Sequence, residues 1–194
     1  MKKFIMIVTV IMCIGILFGC SNANKDDSSE KSNKNNYEAD YESLYNDLKD
    51  MNERTDFNTS IVYSLWSAAP GVIKYNLEDF IEGDLYSLSD DHLVDAFGTS
   101  DKDTIKQYSD TFNTNTEAIT NYISSVKEDV KKFKDNYSKE HNDAAEAFVE
   151  WYKTSELYAE MAVSPTGSLN SYSSDMSKYK DELNKNINDI EFAK

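Results

Sequence analysis

The chain has 194 residues, with 35 acidic against 20 basic side chains and a formal net charge of −15. Its single arginine, Arg54, and its dispersed lysines form no basic patch. Nucleic acid is excluded as a partner on that ground, because phosphate binding needs clustered Lys and Arg.

The N-terminus carries the first signal. Lys2 and Lys3 precede an apolar run from Phe4 to Phe18, the pattern of a secretory signal peptide. As a helix the run would span roughly 22 Å, short of the ~30 Å hydrocarbon core of a bilayer. It ends in Leu17-Phe18-Gly19-Cys20, which resembles the lipobox of bacterial lipoprotein precursors, although Phe18 departs from the usual residue at its position. The resemblance implies cleavage before Cys20 and a diacylglycerol thioether on its sulfur, a membrane anchor of the palmitate type. Two acyl chains hold a protein stably where one holds it marginally. The resemblance therefore implies a location on the outer face of a bacterial cytoplasmic membrane.

Loss of residues 1–19 would remove Cys13, Lys2 and Lys3 and take the formal charge from −15 to −17. With Cys20 acylated, no thiol remains for a disulfide or for Cys–His catalysis. Residues 20–36 are almost wholly polar after the cysteine, and such a segment buries too little surface to offset ordering. The expected organisation is a signal peptide over 1–19, a disordered tether over 20–36 and one folded domain over 37–194.

The domain reads as helical throughout. Tyr37, Tyr41, Leu44, Leu48 and Met51 recur at helical spacing. "DFNTS" at 56–60 interrupts the pattern, and Asn58, Thr59 or Ser60 is expected to cap a new helix. That helix carries Ile61, Leu65, Ala69, Val72, Ile73, Leu77, Phe80 and Ile81 and is expected to kink or break at Pro70. A short helix is predicted near Ser89–Phe97, ended by Gly98.

The longest predicted element runs from about Asp101 to Tyr137. Ile105, Phe112, Ile119, Val126 and Phe133 form its stripe at intervals of seven. "NTNTE" at 113–117 matches a capping box that could divide it, and a turn is predicted near Ser138. Ala144, Phe148, Trp151, Tyr152, Ser155, Tyr158 and Ala162 mark the next face, "SPTGS" at 164–168 breaks it, and Leu169, Tyr172, Met176, Tyr179, Leu183, Ile187 and Ile190 mark the last. The expectation is an all-α, antiparallel bundle of four to six helices.

Motifs for chemistry are sparse. His92 has Asp91 and Asp95 nearby, and His141 has Glu140 and Asp143, but neither has the spacing that puts metal ligands on one helix face. "DKDTIKQYSD" at 101–110 lacks the glycine and closing glutamate of a calcium loop. There is no nucleophile elbow and no phosphate loop. No catalytic residue, metal or cofactor is assigned, and a non-enzymatic role is expected.

Aromatics are the remaining signal: thirteen tyrosines with Trp66 and Trp151. Most lie on the apolar stripes and belong to the core, with hydroxyls at the rim. Tyr45, Tyr63, Tyr75 and Tyr86 lie beside them. Together with Trp66 and Pro70, the residues Tyr45, Tyr63 and Tyr75 make a candidate groove, since a kink opens helix packing. The functional expectation is a lipid-anchored extracellular protein that binds a protein or cationic peptide. One narrower form is an immunity or superinfection-exclusion lipoprotein that guards the membrane against a cationic peptide, toxin or phage. Another is an accessory component of a wall or secretion complex. A two-lobed solute-binding protein is disfavoured by length and helicity.

Overall fold

A computed structural model of the chain describes residues 29–68 and 88–194. Among the described residues it is all-α, with five helices: α1 (Ser29–Ala68), α2 (Asp90–Phe97), α3 (Lys102–Tyr137), α4 (Asn142–Val163) and α5 (Leu169–Ala193). The four long helices form an up-down-up-down bundle. Asp40 lies by Tyr137 and Asn58 by Thr116, so α3 runs antiparallel to α1. Tyr152 meets Ile123, and Asn186 meets Thr154, so α4 is antiparallel to both α3 and α5. Tyr45 against Trp151 and Thr59 against Tyr158 show α1 and α4 parallel across the bundle. The short α2 packs on α1.

Local chemistry sets the ends. Ser89 caps α2 by accepting from the His92 amide, and Gly98 closes it at φ 72°, a left-handed conformation that suits glycine. Asp101 caps α3, accepting from the Thr104 amide at 3.0 Å and its hydroxyl at 2.7 Å. Those two bonds hold the Asp101 carboxyl below the usual range. Ser138 ends α3, and Ser168 opens α5 in a reciprocal box with Ser171. The turn near Ser138 and the "SPTGS" break fall where the sequence places them.

Two expected breaks do not occur. α1 passes through "DFNTS" without interruption, because Asn58 and Thr59 there face inward and find partners. Thr55, Asn58 and Thr59 are fully buried. The Asn58 amide donates to the Phe112 carbonyl at 3.2 Å and to Thr116 Oγ1 at 2.9 Å. The Thr59 hydroxyl lies 2.8 Å from that of Tyr158, which donates to Asp56 at 2.9 Å. Lys180 completes the group by pairing with Asp56. Likewise α3 continues through "NTNTE". Thr114, Thr116 and Thr120 each donate to the carbonyl four residues back, the helical use of a threonine hydroxyl. Asn115 turns inward and accepts from Arg54 at 3.0 Å.

α1 also begins earlier than expected: it takes in residues 29–36 of the segment read as tether. Extension from an existing helix adds a hydrogen bond for each residue ordered, without the cost of nucleation. The rest of the tether, the signal peptide with Cys20, and the expected kink at Pro70 lie outside the described residues.

The core divides along the bundle axis. At the end holding the start of α1, Tyr37, Tyr41, Leu44, Leu48, Val126, Phe133, Tyr137, Phe148 and Trp151 pack together. At the other end Ile61, Val62, Leu65, Leu93, Ile105, Phe112 and Tyr172 do so. The inward polar residues of α1 lie between. Asp50 accepts there from Arg54 at 2.7 Å and from the Tyr122 hydroxyl at 2.7 Å. This largely partnered layer favours one register, since a slipped helix would leave Asp50, Arg54, Asn58 and Thr59 unpaired in the interior. Asn58 Oδ1 and the Asn52 side chain are buried without a hydrogen-bond partner.

Candidate functional site

The groove residues expected from sequence are not brought together. Tyr45 and Trp66 stand 21 positions apart on one unbroken helix, roughly 32 Å along its axis. Tyr45 packs edge-on against Trp151 (5.2 Å between centroids) and donates to Glu191 at 3.2 Å. Trp66 packs on Tyr172 (5.7 Å) near the other end, and Tyr63 is exposed. Pro70, Tyr75 and Tyr86 lie outside the described residues. His141 stacks on Tyr37 at 3.7 Å, at the turn before α4. His92 is exposed on α2. Among the described residues no three His, Cys, Asp or Glu side chains are grouped to hold a metal ion.

Three concave surfaces lie at the end of the bundle where α1 starts. One groove of about 230 Å³ lies between α1 and α3, lined by Asp40, Asp47, Asp129, Lys132 and Asn136 over Leu44 and Phe133. Its carboxylates are partly engaged: Asp40 accepts from Tyr137 at 2.6 Å, and Asp129 pairs with Lys132 at 2.8 Å. Partial burial pushes the Asp47 carboxyl above the usual carboxylate range, with Asp129 and Asp50 adding repulsion. Asp47→Asn is therefore expected to stabilise the fold by about 0.5 kcal/mol at neutral pH. A carboxyl raised by folding opposes folding only when ionised, so the gain should vanish as the pH falls through the carboxylate range. Urea unfolding of both forms at neutral and acid pH checks this.

The larger groove, about 350 Å³, lies between α4 and α5. Asp143, Glu146, Ala147 and Glu150 form its α4 wall, and Asn186, Asp189, Phe192 and Ala193 its α5 wall. Both sets follow helical spacing, so each wall is one stripe. Asn186 closes the inner end by donating to Thr154 Oγ1 at 2.9 Å. Glu150 pairs with Lys153 at 2.6 Å. Asp143, Glu146 and Asp189 have no basic partner within ion-pair distance among the described residues.

Phe192 stands at the mouth of this groove, 92% exposed. A phenylalanine in water forgoes roughly 1.5–3 kcal/mol available on burial. The last turn of α5 holds no basic residue, although the carbonyl end of a helix favours cations and disfavours carboxylates such as Asp189.

On the far side of the same α5 turns lies a hollow of about 310 Å³ lined by Tyr41, Glu42, Tyr45, Asn46, Glu191 and Lys194. Lys194 fills part of it, 5.1 Å above the Tyr41 ring and 3.8 Å from Glu42. Burial, then the neighbouring Tyr37, Tyr45 and Glu191, push the Tyr41 hydroxyl up to about 12.

Sequence reasoning missed Phe192, yet it carried a signal. The α5 stripe runs through Leu183, Ile187 and Ile190, and Phe192 lies about 200° around the helix from Ile190. A large aromatic on the polar face of an amphipathic helix needs an explanation that the core does not provide. Comparison with protein-family models, with curated proteins and with solved structures finds no match to this chain.

Proposed function

We propose that this chain is a lipid-anchored bacterial surface protein whose helical bundle binds a partner and catalyses no reaction. The anchor rests on the lipobox-like Leu17-Phe18-Gly19-Cys20 and the polar segment after it. The binding role rests on one observation: an exposed phenylalanine at the mouth of a groove whose polar lining is four carboxylates and Asn186. Aromatic side chains are enriched at contact surfaces, which supports that reading.

The narrower immunity or superinfection-exclusion reading is favoured by charge: cleavage before Cys20 takes the formal charge from −15 to −17, and such a body draws cationic peptides and speeds their encounter. Metabolic labelling with palmitate, followed by fractionation, tests the anchor. The native chain is expected to label and stay with the membrane, and Cys20→Ala to lose the label. A purified native protein that retains residues 1–19 with an unmodified sulfur would overturn the reading. For the immunity form, a deletion strain unchanged in sensitivity to a panel of cationic peptides would do the same.

A further inference from the structure

We infer that the α4–α5 groove is a docking site for a short cationic segment carrying an apolar side chain, and this rests on the partner-binding reading above. Three features act together. Asp143, Glu146 and Asp189 offer three carboxylates without cations of their own among the described residues. Ala147, Ala193 and Phe192 offer apolar surface between them. The carbonyl end of α5 adds negative potential beside Asp189, its last turn holding no basic residue and the following Lys194 pairing with Glu42, while the amide end of α4 favours the Asp143 carboxylate. Lys or Arg side chains would settle all three carboxylates, while an apolar side chain would cover Phe192.

The size of the groove limits the occupant. Asp143 to Glu150 spans roughly 10 Å of α4, which is one or two helical turns of a partner or three extended residues. About 350 Å³ admits one or two side chains, not a folded domain. Other occupants are opposed by charge. A second copy of this chain would bring matching carboxylates face to face, and an anionic lipid surface would be repelled by the same groups. A neutral apolar segment would cover Phe192 but strand the carboxylates in a drier site, at a desolvation cost.

The test uses the full-length acylated chain in nanodiscs of phosphatidylcholine, a lipid without net charge. The probe is a short fluorescein-labelled peptide of lysine and leucine, read by anisotropy against empty nanodiscs. Its comparison is a peptide of equal charge built from lysine and glycine. Phe192→Ala should weaken the lysine–leucine peptide about tenfold and leave the lysine–glycine peptide within about twofold. The triple variant Asp143→Asn, Glu146→Gln, Asp189→Asn should weaken both about tenfold or more and flatten the salt dependence. Neutralising Asp90, Asp91 and Asp95 on α2 removes as much charge elsewhere and should change binding less than about threefold.

Equal losses from the two neutralised sets, with no effect of Phe192→Ala, would show diffuse attraction to an acidic body and overturn the site. So would a failure of the lysine–leucine peptide to bind above empty nanodiscs, or a concentration-dependent self-association that Phe192→Ala abolishes. Such results leave palmitate labelling at Cys20 untouched, so the anchor and the groove fail separately.

Discussion

Phe148→Ala is expected to lower the unfolding free energy by about 3–5 kcal/mol, the cost of emptying an aromatic position in a core that relaxes only partly. Phe148 is fully buried in α4. Its ring lies 5.0 Å from Tyr41 of α1, 4.9 Å from Phe133 of α3 and 6.3 Å from Trp151 of its own helix. Three of the four long helices therefore meet on this one side chain. Against a total stability of about 5–15 kcal/mol, the loss would leave a fraction of the molecules unfolded at growth temperature if the native margin lies at the low end. Urea unfolding followed by circular dichroism should show the midpoint falling by about 2 M with an unchanged slope. Phe192→Ala removes the same atoms from a side chain that is 92% exposed, and its unfolding free energy should move by less than about 0.5 kcal/mol. A large effect at Phe192, or a small one at Phe148, would contradict the packing described.

That contrast also marks how far the sequence could be read. The heptad stripe of α3 was legible because burial and periodicity coincide there: Ile105, Phe112, Ile119, Val126 and Phe133 are all buried. Ser155 was placed on the α4 face by spacing alone, and it too is buried. The helix-ending residues Gly98 and Ser138 act through backbone geometry and local bonds, which are sequence-local and so visible. Asn58 and Thr59 were misread for a physical reason. A polar residue on a helix face means solvent or a cap unless another helix offers a partner. The partners here, Phe112, Thr116 and Tyr158, stand between 54 and 99 residues away. Asn115 in "NTNTE" was hidden the same way, 61 residues from Arg54. The grooves were less legible still, since each joins stripes from two helices. Asp143, Glu146, Asp189 and Phe192 become neighbours only once α4 and α5 are antiparallel and in register.

The second large effect concerns alkaline pH. Eight tyrosines, Tyr37, Tyr41, Tyr45, Tyr122, Tyr137, Tyr152, Tyr158 and Tyr172, have hydroxyls pushed above their ordinary value, in each case by burial first. Tyr122 and Tyr137 reach about 12, with the hydrogen-bonded Asp50 and Asp40 adding to burial. The folded chain thus keeps protons that the unfolded chain gives up from about pH 10. Stability from these groups is complete below that pH and is lost as the pH rises toward their folded values. Each tyrosine that ionises only on unfolding contributes a slope of about 1.4 kcal/mol per pH unit, less where its hydroxyl is near solvent. Tyr158 and Tyr172 are nearly fully buried, and these two alone would remove about 5 kcal/mol between pH 10 and 12. Phenolate absorbance and circular dichroism followed together should therefore change in one cooperative step above pH 10. Tyr172→Phe loses only a 3.3 Å bond to the Met161 carbonyl and removes one of the two most deeply buried proton-linked groups, so it should move that step to higher pH. Gradual phenolate formation by all thirteen tyrosines around pH 10 with the helices intact would mean that these eight hydroxyls are not held in the interior as described.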